Sequence, residues 1–274
     1  MPGFSAPILS IFMPVRDGAR YISAALDSLL VQDFTAWELW IADDGSTDET
    51  LQIVTTYAGR DARLHVLPLT AGGEVAARNQ ALQYCHPQAP YRMNHDADDI
   101  SLPGKLGRLV THLDKHSEIA ILGCLAEYFD DAGRDLGRPE IACDPGQIRA
   151  DFGRNNQMIN SAAVIRREVF ECIGGYREIY RSVDDYDFFA RALLAGFALA
   201  NLPETLHRIR LHPGSVGSRR ARRQAYLVAR VRRYYRLALA RNEPLSARLA
   251  LWLRCQASVA RAYLRYRRSE GWRG

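Results

Sequence analysis

The sequence predicts an α/β protein with a mostly parallel central sheet flanked by helices, followed by a basic helical C-terminal extension. Three observations predict it. Short apolar runs alternate with helix-periodic stretches through the first two-thirds of the chain. Acidic residues gather where two of those runs end, and beyond residue 218 the composition turns abruptly to arginine.

The runs at 8–13, 37–42, 63–67, 91–95 and 119–124 are short apolar runs, with polar residues interspersed, that fit buried strands. Between them, helical patterns fall at 19–32, 48–60, 74–85 and 103–116. Ser46-Thr47-Asp48-Glu49 supplies capping-type residues where the second helix begins, and Pro103 suits the first turn of the fourth. Such alternation implies parallel strands joined by helical crossovers, with ligands bound at the strands' C-terminal ends. From about residue 144 the pattern loosens. A helix at 145–152, a strand-like 160–165, a Gly174-Gly175 turn, a helix over 184–194 and a short strand at 207–211 follow. Two long helices, 221–241 and 245–268, complete the expectation, with a break at Asn242-Glu243-Pro244.

With 274 residues, 47% hydrophobic and 24% charged, the chain reads as one large globular domain plus an appendage, not as a disordered protein. No apolar stretch is long enough for a transmembrane helix, and the first residues lack the basic region of a signal peptide. Cys85, Cys124, Cys143, Cys172 and Cys255 are odd in number, scattered and without metal-type spacing. They read as reduced thiols in a cytoplasmic protein. The net charge of +5 conceals an asymmetry. Residues 219–274 hold 16 arginines against Glu243 and Glu270, a net +14, so the first 218 residues carry −9. Arginine clusters alternating there with Tyr226, Tyr234, Tyr235, Trp252 and Tyr263 suit an anionic membrane surface, or packing on the body or on a second subunit. No nucleic-acid-binding motif accompanies them, so no nucleic-acid partner is expected.

Asp96-Ala97-Asp98-Asp99 closes the apolar run at 91–95. Three carboxylates within four residues repel one another unless a cation or a donor-rich ligand sits among them. Hard divalent ions such as Mg²⁺ or Mn²⁺ prefer such oxygens and keep positions open for phosphates. Asp43-Asp44 closes the second run in the same way. A dinucleotide-binding GxGxxG is missing after the first strand, where Pro14-Val15-Arg16-Asp17-Gly18 stands, and no P-loop occurs.

Ile11-Phe12-Met13-Pro14-Val15-Arg16-Asp17, Ala42-Asp43-Asp44-Gly45-Ser46-Thr47-Asp48, Asp96-Ala97-Asp98-Asp99, Asp184-Asp185-Tyr186-Asp187-Phe188-Phe189 and Arg210-Leu211-His212-Pro213-Gly214-Ser215 resemble, in order, the successive signatures of family 2 glycosyltransferases. The resemblance spans roughly residues 7–217. It implies a GT-A fold, an inverting mechanism, a divalent cation (Mn²⁺ or Mg²⁺), and a nucleotide-diphospho-sugar donor. A glycan or lipid-linked acceptor, in cell-surface polysaccharide or glycolipid assembly, is the corresponding expectation.

Carried over residue by residue, the resemblance puts Pro14, Val15 and Asp44 at the nucleobase. A carboxylate that accepts an imide N–H favours uracil or thymine, hence a UDP-sugar, although guanine also offers an N–H. Gly72-Gly73 with Arg78 resembles the family's glycine-led helix, Arg78 offering a planar donor fork to base, ribose or phosphate. The resemblance sets Asp96 near the ribose and Asp98 on the metal, with His212 as a further ligand or phosphate contact. Asp99 supports the site from behind or caps the next helix. Asp185 is the expected general base, oriented by Asp184, where the family more often has glutamate. Asp187 faces elsewhere on the helix. Tyr176, after Gly174-Gly175, is expected on the acceptor side, where it stacks on a sugar. His95 reads as a strand residue, and the remaining histidines as surface or structural.

The expected organisation is a catalytic domain over 1–218, with a nucleotide-binding part at 7–125 and an acceptor part at 126–218, and the basic extension at 219–274. A nucleotidyltransferase-like enzyme is the alternative, but it wants a Gly-rich basic loop straight after the first strand. A non-catalytic nucleotide-sugar-binding module is disfavoured by the presence of both Asp98 and Asp185.

Overall fold

The apolar runs become the strands. The computed structural model describes residues 6–212, 221–242 and 245–269; Pro213-Gly214-Ser215 and the Glu243-Pro244 break lie outside the described residues. In chain order the elements are β1 (Leu9–Val15), α1 (Ile22–Leu30), β2 (Trp37–Asp43), α2 (Thr50–Ala58), β3 (Leu64–Pro68), α3 (Glu74–Tyr84), β4 (Tyr91–Asn94), β5 (Ile100–Ser101) and α4 (Lys105–Lys115). Then come β6 (Ile119–Phe129), α5 (Pro145–Asp151), β7 (Val164–Arg166), α6 (Arg167–Ile173), α7 (Asp184–Leu194), β8 (Ala198–Arg210), α8 (Ala221–Leu239) and α9 (Leu245–Ser269).

The strands form one sheet in the order β3-β2-β1-β4-β7-β6-β8-β5. The first four pair in parallel, as the alternation predicts. β7 then runs antiparallel between β4 and β6, β8 returns parallel to β6, and the two-residue β5 pairs antiparallel at the edge. One core layer lies between the sheet and α1, α2 and α4, with Leu26, Leu29, Val54, Leu106 and Leu109 fully buried. The other joins α3, α5, α6 and α7, with Phe152, Phe188 and Phe189 fully buried. Each such side chain contributes about 1.5–3 kcal/mol on leaving water, so the two layers together hold the sheet rigid beneath its C-terminal edge.

Four expectations change. The strand-like 160–165 is a 3-10 turn over Asn160–Ala162 followed by the short β7. The short strand at 207–211 is the end of the thirteen-residue β8. Its earlier part is masked in the sequence by Pro203, which removes a ladder donor. The structure absorbs it as an irregularity, with Cys124 opposite Leu202 but Leu125 opposite Thr205. The fourth helix starts at Lys105, after Gly104 turns the chain at φ 79°, so Pro103 lies in the preceding turn. And 46–49 does not cap α2 through its N-cap residue, Glu49. Asp48 Oδ1 accepts from Thr50 N at 3.0 Å in the first turn of α2, and the same stretch also binds the β1–α1 loop: Ser46 Oγ accepts from Asp17 N at 3.0 Å, and Asp48 Oδ2 from Ala19 N at 3.1 Å.

The basic C-terminal helices form a hairpin, and α8 is part of the second core layer. Its Leu227, Val231 and Tyr235 are buried against α5 and α7. The outer helix α9 buries Cys255 and Ala262, sets the Tyr263 ring 5.4 Å from that of Tyr226 in α8, and exposes Leu249, Trp252, Leu253 and Leu264. Among the described residues, no helix is long and apolar enough to cross a membrane.

Candidate active site

The C-terminal ends of β1 and β2 present Pro14, Val15, Asp43 and Asp44 side by side, all buried. Asp43 turns back to accept from Ser46 N and the Ser46 hydroxyl, which closes the turn at Gly45. Asp44 reaches the other way. Its carboxylate accepts from Gly72 N at 2.6 Å and Gly73 N at 2.9 Å, and Arg16 Nη1 lies 3.9 Å off. The glycine turn before α3 is thereby pinned to the end of β2. Gly73 sits at φ 100°, and a Cβ there would run into the Arg181 guanidinium. Only glycine fits that position without displacing Arg181.

Arg78, one turn into α3, does not project into solvent. It is buried, with Nε donating to Asn94 Oδ1 at 3.0 Å, Nη1 to Asp184, and Nη2 to Glu74 Oε1 at 2.6 Å. Asp96 Oδ1 is 4.0 Å from Nη2, and the guanidinium lies over the Tyr176 ring at 5.1 Å. Burial alone would lower its pKa, but Asp184, Glu74 and Asp96 outweigh that and hold it firmly protonated. Arg78 thus ties α3, the end of β4 and the start of α7 into one unit.

The acid set follows β4. Asp96 accepts from Asn94 Nδ2 at 2.8 Å. Asp98 Oδ2 meets His212 Nε2 at 3.0 Å, so residues 114 apart in sequence converge where β8 has just ended. Burial and the neighbouring Asp99 push the Asp98 carboxyl upward, while His212 draws it down. Asp99 points inward and does not cap α4. It accepts from Ser161 Oγ at 2.7 Å, His207 Nε2 at 2.9 Å and Arg210 N at 3.1 Å, which fastens the acid loop to the end of β8.

Beneath Asp99 lies a buried polar layer that the sequence reading did not anticipate. Lys105 Nζ donates to Ser161 O at 2.7 Å, His207 Nδ1 at 2.9 Å and Ser101 Oγ at 3.3 Å. With the lysine donating to Nδ1, the His207 proton resides on Nε2, facing Asp99. Burial and the lysine charge keep this histidine neutral. His95 is a strand-end residue as expected, completely buried and bonded to Asp96 O and Ser101 Oγ. One signal was available: Lys105 shares the buried stripe of α4 with Leu106, Leu109 and Leu113, the wrong face for a solvated lysine.

At the N-terminus of α7, Asp184 and Asp187 are buried and paired, with Arg78 and with Arg177 and Arg191 respectively. Asp185 between them is only half-buried, and among the described residues its side-chain hydrogen-bond partner is Asn156, whose Nδ2 donates to Oδ2 at 3.1 Å. Burial, and then the charge of Asp184, push the Asp185 carboxyl up to about 7. A carboxylate poised near neutral pH suits proton abstraction. Asp187 faces away, as read from the sequence. Tyr176 does not reach the acceptor side. It is buried in an aromatic cluster with Phe12, Phe170 and Phe188, its hydroxyl donating to Asn160 Oδ1 at 2.9 Å. The aromatic cluster draws the Tyr176 ring inward although Gly174, two residues before it, is exposed.

Comparison with known proteins bears on this arrangement. Residues 10–174 match the family model described as glycosyl transferase family 2. The chain is 29% identical over 213 residues to the EpsE protein of Bacillus subtilis (strain 168), across 75% of this chain and 74% of that one. It is 27% identical over 226 residues to the amylovoran biosynthesis glycosyltransferase AmsE of Erwinia amylovora, across 82% of each. The fold superposes on S. aureus TarS in complex with UDP-GlcNAc with a TM-score of 0.66 at 21% identity, covering 94% of this chain and 72% of TarS. These matches make the α/β sheet a GT-A fold, and the chain belongs to glycosyl transferase family 2.

Proposed function

We propose that this glycosyltransferase moves a sugar from a nucleotide-diphospho-sugar, with UDP-sugars favoured, to an acceptor hydroxyl with inversion at the anomeric carbon. One observation carries the reading. The buried Arg78 guanidinium bonds Asp184, beside Asp185, and lies 4.0 Å from Asp96, two residues from Asp98, which supports a base and an acid loop serving one site. The similarity to AmsE, named for amylovoran biosynthesis, supports a role in cell-surface polysaccharide or glycolipid assembly with a glycan or lipid-linked acceptor. The structural relatives' complexes with UDP-GlcNAc and with GDP-Man and Mn²⁺ support the donor class and the metal.

On this reading the donor half spans about 7–125 and the acceptor half 126–218, with 219–274 an extension. Pro14, Val15 and Asp44 frame the nucleobase, and Asp96 meets the ribose. Asp98 and His212 would hold Mn²⁺ or Mg²⁺. Their oxygen and nitrogen, 3.0 Å apart, fit adjacent positions of an octahedral shell about 2.1 Å in radius. Such an ion supplies positive charge to the departing diphosphate. Arg78 acts by holding α3 and α7 in register. Asp185 takes the proton of the acceptor hydroxyl as that oxygen bonds to the anomeric carbon. The bond from that carbon to the diphosphate oxygen breaks on the opposite face, and its electron pair leaves with the nucleoside diphosphate. One in-line displacement converts an α-linked donor into a β-linked product.

The test is thermal unfolding with UDP, dTDP, GDP and CDP, with and without Mn²⁺. A ligand at 100 times its dissociation constant adds about 2.7 kcal/mol, or roughly 5–10 °C. A Mn²⁺-dependent rise with one nucleotide, lost in Asp98→Ala, is the expected result; no rise with any of them would refute the donor site. Asp185→Asn should still bind donor and fail to transfer.

A second reading concerns α9. Since α8 has its apolar face in the core, the exposed Leu249, Trp252, Leu253 and Leu264, flanked by exposed Arg254 and Arg261, are the surface suited to peripheral contact with an anionic membrane. Cosedimentation with anionic but not zwitterionic vesicles, lost in Trp252→Ser/Leu253→Ser, is expected; equal recovery with both vesicle types would rule it out.

A further inference from the structure

The segment between α5 and β7 carries no motif, yet among the described residues it supplies the side chain hydrogen-bonded to Asp185. We propose that Asn156 is a positioning residue that aims the Asp185 carboxylate at the acceptor hydroxyl; the inference rests on Asp185 being the base. The amide orientation is fixed by chemistry. Asn156 Oδ1 accepts from Met158 N at 3.1 Å, so its NH₂ group must be the one facing Asp185 Oδ2. A carboxylate on a helical first turn can rotate about its terminal torsion, and a donor on one oxygen leaves the other directed outward.

Asn156 can serve this way because its neighbours are immobilised on both sides. Ahead of it, Phe152 is fully buried, and its carbonyl accepts from the Tyr186 hydroxyl of α7. Gly153 O accepts from Arg236 Nε of α8 at 2.9 Å, and a Cβ at Gly153 would press on the Arg236 side chain. Behind it, Gln157 Oε1 accepts from Ala142 N at 2.8 Å, and Gln157 O accepts from Asn201 Nδ2 of β8 at 2.9 Å. Helix α8 also holds the other flank of the base, with Gln224 Nε2 donating to Ser182 O at 3.2 Å, two residues before Asp184. The loops on both sides of Asp185 therefore lean on the basic C-terminal helix.

Besides Asn156, the groups that act on Asp185 are Asp184 and the Tyr186 N–H of its own helix, and Arg78 and Glu74 of α3. Tyr176, from the preceding loop, is coupled to it as well. Of these, Asp184 and Glu74 favour the protonated form, while Arg78 and the amide favour the carboxylate. An added donor works with the second pair, so removing it raises the pH at which Asp185 ionises.

The test is the pH dependence of kcat/KM and kcat, with donor KM and thermal midpoint, for the wild type, Asn156→Ala, Asn156→Ser and Asp185→Asn. For Asn156→Ala we expect kcat to fall about tenfold or more and the acidic limb to move up by about one pH unit. A hydrogen bond to a charged group is worth that much. Donor KM and the unfolding midpoint should stay near wild type, since Asn156 is half-buried and bonds Asp185, not Asp44, Asp96 or Asp98. Asn156→Ser, which keeps a hydroxyl donor, should recover part of the limb shift. If Asp185→Asn is inactive while Asn156→Ala keeps the wild-type limb and kcat, the positioning role is overturned and the base stands. If Asp185→Asn turns over normally, the base assignment itself is overturned.

Discussion

Arg78 separates two accounts of the site, and replacing it by methionine decides between them. Methionine retains the apolar stem and removes the fork, leaving Asn94 Oδ1 without its donor and Asp184 as a buried carboxylate with its cation gone. Breaking a buried pair on one side typically costs about 3–5 kcal/mol. At roughly 2–4 °C per kcal/mol for a chain of this size, the unfolding midpoint should fall by about 6–20 °C. Arg78→Met/Asp184→Leu removes both charges, so it should be more stable than the sum of the single changes by about 1–3 kcal/mol. Calorimetric unfolding of the four proteins, with nucleotide affinity measured by titration calorimetry, provides the assay. An unchanged midpoint together with a tenfold or greater loss of nucleotide affinity would refute the reasoning, because Arg78 would then act by touching donor, the role its motif alone suggests.

Other consequences follow from the same geometry. The transfer rate should fall about tenfold per pH unit below pH 7, where the raised Asp185 carboxyl becomes protonated. Because this acid binds its proton more tightly folded than unfolded, it favours the fold most at acid pH, and that contribution fades as pH rises through about 7. A flat rate profile from pH 5 to 8 would contradict the assignment. Gly73→Ala should lower the unfolding midpoint by several degrees and weaken nucleotide binding, since a φ of 100° and the Arg181 contact together cost about 1–3 kcal/mol. Ser161→Ala takes a donor from Asp99 and should cost about 1.5–3 kcal/mol, read as a midpoint drop of about 3–12 °C. A shift under 2 °C would mean that Asp99 is held adequately by His207 and Arg210 alone.

The parallel half of the sheet was legible because short, mainly apolar runs such as 8–13 and 37–42 alternate with helix-periodic stretches, the pattern of strands covered on both faces. The acid sets were legible because they sit where those runs stop. What stayed hidden depends on contacts between distant positions. Nothing near Arg78 announces that its partner is Asp184, 106 residues away. Asn156 is one polar residue among several in an irregular segment, and only the fold brings it to α7. Pro203 concealed most of β8, since a local rule against proline in strands gave way to an irregularity that leaves its missing donor unneeded. The amphipathic pattern of 221–241 was visible as a pattern, but a sequence cannot say which surface an apolar stripe will cover.

That last point changes what counts as the minimal enzyme. A chain ended at residue 218, after every motif, would uncover the aromatic face of Phe152, Tyr186 and Phe189 that Leu227, Val231 and Tyr235 now cover. It would also release the two loops that flank Asp185. Such a truncation should come out of cells aggregated, whereas one ended before residue 245 keeps the whole of α8 and should remain folded. Any fusion or shortened form of this protein is best joined beyond the first basic helix, because that helix packs into the second core layer although its composition sets it apart.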